Sequence, residues 1–188
     1  MIAVRRLAVL AAVVLLAGCT SDAQDPGPQP EARSTLTACP EQPDESAQGA
    51  EVLPALSFDC PGGGALDLAR APGVPTLVNL WGSWCPPCRE EMPVLQELSQ
   101  SADGQVRVVG VISKDGQTPA ESFAADAGVT FPSALDGEGR LMADLGINVL
   151  PYTYFLDAQG ALVYTQVGPV SSIEELRGLV AEHLGVQL

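Results

Sequence analysis

Hydrophobic residues in the middle of the chain form two strand-like runs separated by a helix-like stretch. Thr76 to Trp81 is mostly apolar without strict alternation, which is typical of a strand buried on both faces. Arg89 to Leu98 places apolar residues at helical spacing, and Val106 to Ile112 is a second apolar run. A strand, a helix and a strand in this order predict a parallel pair joined by a right-handed crossover. The pattern therefore indicates an α/β protein.

Two further elements are predicted on either side of this unit. Leu56 to Leu68 alternates around Pro61-Gly62-Gly63-Gly64, which indicates a β-hairpin. The run Thr118-Pro119-Ala120-Glu121 predicts the start of a second helix, with Thr118 as N-cap and Glu121 completing a capping box, and Gly128 its end.

The C-terminal part of the chain predicts a hairpin followed by a helix. Tyr152 to Leu156 and Ala161 to Val167 flank Asp157-Ala158-Gln159-Gly160, so they should pair antiparallel. Ser172 with Glu175 predicts a capped helix that runs through Leu184. His183 falls in its last turn, where an imidazole is expected near exposed carbonyl groups.

The N-terminus has the pattern of a bacterial lipoprotein signal. Arg5-Arg6 precede an apolar run that ends in Leu16-Ala17-Gly18-Cys19, and this run is too short to span a bilayer core of about 30 Å. We therefore expect residues 1–18 to be a cleaved signal peptide and Cys19 to be lipidated, which would place the protein outside the cytoplasm on the cell membrane. An ordinary secretory signal with a later cleavage site is the alternative.

The remaining chain divides into a tether and one domain. Residues 19–38 are rich in Pro, Gln, Asp and Ser, so they should be a disordered tether, and residues 39–188 suit a single domain. The signal segment holds two arginines and no acidic residue, so its removal leaves seven basic against 23 acidic residues and a net charge of −16. Such acidity argues against nucleic acid as a partner and against electrostatic binding to anionic lipid.

The most informative segment is Trp84-Cys85-Pro86-Pro87-Cys88, which follows the first long strand and opens a helix. At a helix start, free amides and the macrodipole favour a Cys85 thiolate, the species that attacks disulfides, and Cys88 is spaced to resolve the mixed disulfide. A zinc site would need further ligands, whereas the other cysteines are isolated and His183 is the single histidine. A purely structural disulfide remains the other alternative.

The segment from Leu56 to Leu98 resembles the TlpA/ResA/DsbE branch of the thioredoxin-like oxidoreductases, most specifically in Val78-Asn79-Leu80-Trp81-Gly82-Ser83-Trp84-Cys85-Pro86-Pro87-Cys88-Arg89-Glu90-Glu91-Met92-Pro93. Leu150-Pro151 and the following strand resemble the cis-proline turn of that family. The resemblance implies a thioredoxin-like three-layer fold, in which a central mixed sheet lies between helices, with an N-terminal hairpin and a central αβ insertion.

The resemblance also assigns expected roles around the cysteine pair. Glu91 matches the family's glutamate and is the candidate proton handler, with a pKa expected to be raised by burial. Trp84, Leu150 and Pro151 are expected to border the groove for a protein substrate, although Leu150 departs from the usual small or β-branched residue. No metal and no cofactor is implied.

Once Cys19 is assigned to lipidation, Cys39 and Cys60 remain beside the C-x-x-C pair, so the other four cysteines can form two pairs. In an oxidising compartment a bridge between them would staple the start of the domain. Free thiols, or a second redox pair that exchanges electrons with the first, are the alternatives.

The sequence predicts a membrane-tethered, extracytoplasmic thiol-disulfide oxidoreductase that acts on protein cysteines. The resemblance implies reduction of apocytochrome c cysteines in cytochrome c maturation, with a membrane redox partner to recharge the site. An oxidative-folding role is the main alternative. A peroxiredoxin-like peroxidase is disfavoured, because residues 78–85 lack the P-x-x-x-T-x-x-C motif of that class. A further alternative is a non-enzymatic lipoprotein binding module, in which the C-x-x-C pair would remain a permanent disulfide.

Overall fold

A computed structural model describes residues 34–188, so the predicted signal peptide and Cys19 lie outside the described residues. Within residues 34–188, no helix has the length and apolar character that a membrane crossing requires. The elements in chain order are β1 Ser57–Asp59, β2 Ala65–Asp67, β3 Thr76–Trp81, α1 Pro86–Ser101, β4 Arg107–Ser113, α2 Gln117–Asp126, β5 Ser133–Asp136, α3 Arg140–Asp144, β6 Tyr152–Leu156, β7 Leu162–Val167 and α4 Ile173–Leu184.

The five long strands form one mixed sheet in the order β5-β4-β3-β6-β7. β3, β4 and β5 run parallel, whereas β6 is antiparallel to β3 and to β7. The crossovers through α1 and α2 both step outward in the same direction, so right-handed connections place both helices on one face of the sheet. β1 and β2 form a separate two-stranded hairpin, as the alternation around the glycines predicts.

Side chains of β3 alternate between two hydrophobic clusters, one on each face of the sheet. Leu77 and Trp81 pack with residues of α1, α2 and α4, whereas Val78 and Leu80 pack with the hairpin and α3. Every residue of β3 is buried, because α1, α2 and α4 cover one face and the hairpin together with α3 covers the other. The expected thioredoxin-like layers, helices on both sides of a mixed sheet, are confirmed.

The chain before β1 is an ordered segment, which we call the N-terminal strap, residues 36–51. It begins with the Thr37 N–H donating to the Thr130 carbonyl at 2.9 Å and ends with the Leu162 N–H donating to the Glu51 carbonyl at 2.9 Å. Leu36 is 2% exposed within the helical-face cluster. The last residues of the predicted tether, which spans 19–38, therefore pack on the domain, since Leu36 is buried and Thr37 is hydrogen-bonded to it.

The second helix begins earlier than the capping pattern predicts. Gly116, not Thr118, is the N-cap residue of α2, and Glu121 accepts a hydrogen bond from the Gln117 side chain instead of completing a capping box. Pro119 lies in the first turn, where a residue without an N–H loses no helical hydrogen bond.

The last helix matches its predicted start, and its histidine has a different neighbour from the expected one. The Ser172 hydroxyl accepts from the Glu175 N–H at 3.2 Å. The His183 ring stacks face to face on Tyr164, with 3.8 Å between centroids. The histidine therefore packs on β7, a contact that helix position alone does not encode.

Candidate active site

The C-x-x-C pair lies at the junction between β3 and α1. Cys85 is the N-cap residue, with extended backbone angles, and its Sγ accepts from the Cys88 N–H at 3.2 Å. Pro86 and Pro87 occupy the first two helical positions, where the missing N–H groups would have no intrahelical partner. The two cysteines form a disulfide with 5.3 Å between their Cα atoms.

The helix start offers the Cys85 sulfur fewer amide donors than its position suggests. Both prolines lack an N–H, and the Arg89 N–H donates to the Cys85 carbonyl at 3.1 Å. The Arg89 N–H is therefore used within the helix and is not bonded to the Cys85 sulfur. The Cys88 N–H is the backbone donor bonded to the sulfur among the described residues.

Both cysteines are buried in this disulfide form. Cys85 is 2% exposed and Cys88 is fully buried, whereas the neighbouring Trp84 is 50% exposed. The disulfide form therefore buries the cysteine pair and leaves the adjacent aromatic ring accessible.

Glu91 is a fully buried carboxyl one helical turn beyond Cys88. Its Oε1 accepts from the Asn79 side-chain amide at 2.8 Å, and its Oε2 accepts from the Val170 N–H at 3.2 Å. Burial raises the pKa of Glu91 to about 7, against the two hydrogen bonds, which favour the ionised form. Near neutral pH this carboxyl therefore exists in both protonation states.

The sequence analysis did not predict that Asn79, on the sheet, would bond to Glu91 and to Thr153. Asn79 in β3 donates to Glu91 and also to the Thr153 hydroxyl at 3.0 Å, and all three residues are completely buried. Because Asn79 shares the strand face of Leu77 and Trp81, it points toward α1. A polar residue in an otherwise buried strand was the available signal.

The pairing of β6 with β3 places the predicted groove residues Leu150 and Pro151 near the end of β3 that leads to Cys85. Leu80 lies opposite Tyr152, so Pro151 lies beside the end of β3, and the Leu150-Pro151 bond is cis. Leu150 is half-buried between the two hydrophobic clusters. Trp84 donates its Nε1–H to the Ser113 carbonyl at 3.3 Å and is half exposed.

The loop that carries Cys85 is also bound to the segment after β4. The Ser83 N–H donates to Asp115 Oδ2 at 2.6 Å, and the Ser83 carbonyl accepts from the Arg89 guanidinium at 3.4 Å. The same guanidinium lies 4.7 Å from the centre of the Phe123 ring. Asp115 is remote in sequence from the cysteines, and nothing in the motif pointed to it.

The other cysteine pair lies on the opposite side of the sheet. Cys39 and Cys60 are joined by a disulfide with 6.0 Å between their Cα atoms, and both belong to the cluster under the hairpin. Cys85 and Cys88 belong to the helical-face cluster. Among residues 34–188 there is no group of three or more His, Cys, Asp or Glu side chains that could hold a metal ion.

Comparison with known proteins places this geometry in a family. Residues 47–180 match the Redoxin family model. The chain is 37% identical over 138 residues to the thiol:disulfide interchange protein CycY of Rhizobium leguminosarum bv. viciae, covering 72% of each chain. It is 40% identical over 105 residues to the DsbE homolog of Paracoccus denitrificans, covering 55% of this chain and 56% of that protein.

A solved structure gives the same result at the level of the fold. StoA from Bacillus subtilis superposes with a TM-score of 0.56 at 28% identity, covering 65% of this chain and 94% of StoA.

Proposed function

The chain belongs to the Redoxin family, as a thiol-disulfide oxidoreductase of the DsbE and CycY type, and from this premise we propose that it is a membrane-tethered extracytoplasmic reductase of protein disulfides. The observation that supports this most directly is the Cys85–Cys88 disulfide at a helix start, one turn from the buried Glu91 carboxyl. A purely structural disulfide does not require a buried ionisable group beside it, whereas a redox-active pair must transfer a proton.

In the proposed reaction, the Cys85 thiolate of the reduced protein attacks one sulfur of a substrate disulfide. A mixed disulfide forms, and the other substrate sulfur leaves as a thiolate. Cys88 then attacks the Cys85 sulfur and releases the second substrate thiolate. Two electrons pass to the substrate, and the protein is left with the Cys85–Cys88 disulfide.

Glu91 is proposed to manage the proton of the second step. The Cys88 thiol must lose its proton before it attacks, and an ionised Glu91 on the same helix face is the buried acceptor. The proton then passes to the departing substrate thiolate. A pKa of about 7 suits a group that must both take and give a proton near neutral pH.

Weak stabilisation of the thiolate supports the reducing direction. Strongly oxidising sites owe their potential to a stabilised reduced form, whereas Cys85 receives a hydrogen bond from one described amide. We propose the cysteines of apocytochrome c as substrate, and a membrane dithiol donor that returns two electrons to the pair after each cycle. Lipidation at Cys19 is the proposed means of tethering.

Trapping tests the enzymatic role. In Cys88→Ser the mixed disulfide with the substrate cannot be resolved, so disulfide-linked adducts should accumulate on Cys85, and Cys85→Ser is the matched control that should form none. Equal adduct levels in the two variants would contradict the exchange mechanism. The absence of adducts in both variants would favour the binding module, because Cys85 would then fail to react with protein disulfides even when Cys88 can no longer bond to it.

A redox titration against glutathione tests the direction. The reductase role is supported if the Cys85–Cys88 pair stays oxidised at ratios of reduced to oxidised glutathione that fully reduce a strongly oxidising disulfide. A pair that is already fully reduced under those conditions would favour oxidative folding instead.

A further inference from the structure

Ser83, two residues before Cys85, is held between two opposite charges. The carboxylate of Asp115 accepts its N–H at 2.6 Å, and the guanidinium of Arg89 donates to its carbonyl at 3.4 Å. The charges arrive from different elements, since Asp115 follows β4 and Arg89 belongs to α1. The short loop that carries the reactive cysteine is thus fixed from both sides.

Each of these charged groups is itself held in place. Asp115 Oδ1 accepts from the Gly116 N–H at 2.9 Å, so both carboxylate oxygens are bonded to backbone amides. The Arg89 guanidinium rests on the Phe123 ring of α2. Trp84 adds a further bond from the loop to the Ser113 carbonyl. The charges therefore keep a defined position relative to Cys85.

We propose that Asp115 and Arg89 are positioning residues that act through Ser83 and set the stability of the Cys85 thiolate in opposite directions. A negative charge beside the loop disfavours a thiolate, and a positive charge favours it. The proposal rests on Cys85 being the nucleophile, as in the proposed function. It adds two groups, outside the C-x-x-C motif, that tune how readily the pair is reduced.

Two explanations of the same contacts make different predictions. If the contacts merely brace the loop, loss of either side chain loosens it, and the reactivity of Cys85 changes in the same direction in both variants. If the charges tune the thiolate, the two losses have opposite signs and cancel when combined.

The experiment uses Asp115→Asn, Arg89→Gln and the double variant, with Asp126→Asn as the matched control. Asp126 lines the same cleft as Ser83, Arg89 and Phe123 and is exposed, and it makes no hydrogen bond to the loop among the described contacts. The reduced proteins are treated with iodoacetamide at mildly acidic pH, and peptide mass spectrometry identifies the cysteine that reacts. The equilibrium with glutathione is measured in parallel, and near-ultraviolet circular dichroism reports the fold.

We expect Cys85 of Asp115→Asn to be alkylated about threefold faster, which corresponds to a shift of about half a pH unit in the titration of the thiol. At a given glutathione ratio this variant should also contain more of the reduced dithiol form. Arg89→Gln should be about threefold slower, the double variant near wild type, and Asp126→Asn closer to wild type than Asp115→Asn. Changes of the same sign in both single variants, no change in either, or an equal effect of Asp126→Asn would overturn the proposal.

Two outcomes keep the test decisive. If Asp115→Asn does not fold, Arg89→Gln alone decides the test, because Arg89 is exposed and its replacement should leave the fold intact. Slower alkylation of Cys85 in Arg89→Gln supports the proposal, and unchanged or faster alkylation overturns it. If Cys88 is modified first, the proposed function fails at its nucleophile. Unchanged rates at Cys85 overturn only the role of the two charges.

Discussion

The disulfides Cys39–Cys60 and Cys85–Cys88 are almost equally hidden from solvent, yet they lie in chemically different surroundings. Cys39 and Cys60 are each 7% exposed, against 2% and 0% for Cys85 and Cys88. The first pair joins the N-terminal strap to the hairpin, where the Cys39 N–H donates to Gly63 and the Cys60 N–H donates to Gly64. The second pair lies at a helix start, one turn from a buried carboxyl.

This contrast shows that burial alone does not separate a staple from a redox centre. Near the Cys85–Cys88 pair lie a buried carboxyl with a raised pKa, an amide bonded to a sulfur and an exposed aromatic ring. The two pairs also lie on opposite faces of the sheet, so electron exchange between them would require sulfurs to meet across a packed layer. The structure therefore supports independent roles.

The largest expected effect separates the pairs by stability. Replacing both Cys39 and Cys60 by Ser should cost about 3 kcal/mol, because the bridge closes a loop between residues 21 apart in sequence and its loss enlarges the unfolded ensemble. For a domain of this size the melting temperature should fall by about 10 °C, with disulfide exchange nearly unchanged. Calorimetry and an exchange assay on the same preparation measure both quantities.

The matched control is the Cys85→Ser, Cys88→Ser double variant. It should lose exchange completely and melt closer to wild type, since its bridge closes a loop between residues only three apart. A stable Cys39→Ser, Cys60→Ser variant without exchange activity would show instead that the second pair passes electrons to the first.

A comparable effect is expected in the pH dependence of stability. The pKa of Glu91 is about 7 when folded and 4.5 ordinarily, so between these values the folded protein holds a proton that the unfolded chain has lost. The free energy of unfolding should therefore be highest below pH 4.5 and decrease as pH rises through 7, by about 3 kcal/mol in total from this group. Glu91→Gln should lose this slope in urea unfolding series.

Glu90→Gln serves as the control for that series, since Glu90 is the exposed neighbour on the same helix. It should keep the wild-type slope. The assignment would be wrong if both variants flattened the curve equally or if neither did.

Glu91→Gln should also slow the resolving step. The release of a substrate thiol from a preformed mixed disulfide on Cys85 should decrease about a hundredfold, the lower end of general base contributions. The wild-type rate should rise with pH around a midpoint near 7, as Glu91 becomes ionised, and the variant should lack that midpoint. Stopped-flow measurement of the release step isolates Cys88 from substrate binding. An identical pH profile in the two proteins would remove Glu91 from the mechanism.

The smallest effect concerns the groove. Trp84→Ala should raise KM for a protein disulfide about threefold while kcat stays unchanged, because an exposed ring beside Cys85 contributes equally to ground-state and transition-state binding. Trp84→Phe keeps the ring without the bond to Ser113 and should lie closer to wild type. Val163→Ala, an exposed apolar residue at the far end of β7, should have no effect; an equal change there would indicate a nonspecific surface contribution.

Sequence patterns predicted the parts of the molecule that local chemistry determines. The strand-helix-strand unit, the two hairpins and the Ser172 cap follow from periodicity and turn residues, and the structure has them. The start of α2 was misplaced because a Thr-Pro pair fits both an N-cap and a first turn. Local sequence signals of this kind predict the presence of a helix more reliably than the residue at which it begins.

Contacts between distant residues escaped sequence reasoning. The Asn79–Thr153 hydrogen bond and the Ser83–Asp115 hydrogen bond join residues 74 and 32 positions apart, which meet only when the sheet and its connections are in place. The face to face stacking of His183 on Tyr164 has the same origin. The C-x-x-C pair was readable from a motif, but the groups that surround it are brought together by the tertiary structure.

The N-terminal strap enters the domain at the end of the sheet opposite the cysteine pair. Thr37 bonds to Thr130 just before β5, so the strap joins the domain at the pole where the parallel strands begin. Cys85 follows the far end of β3, at the opposite pole. The backbone hydrogen bonds of the strap are thus made away from Cys85, and a substrate can approach the cysteine pair without displacing them.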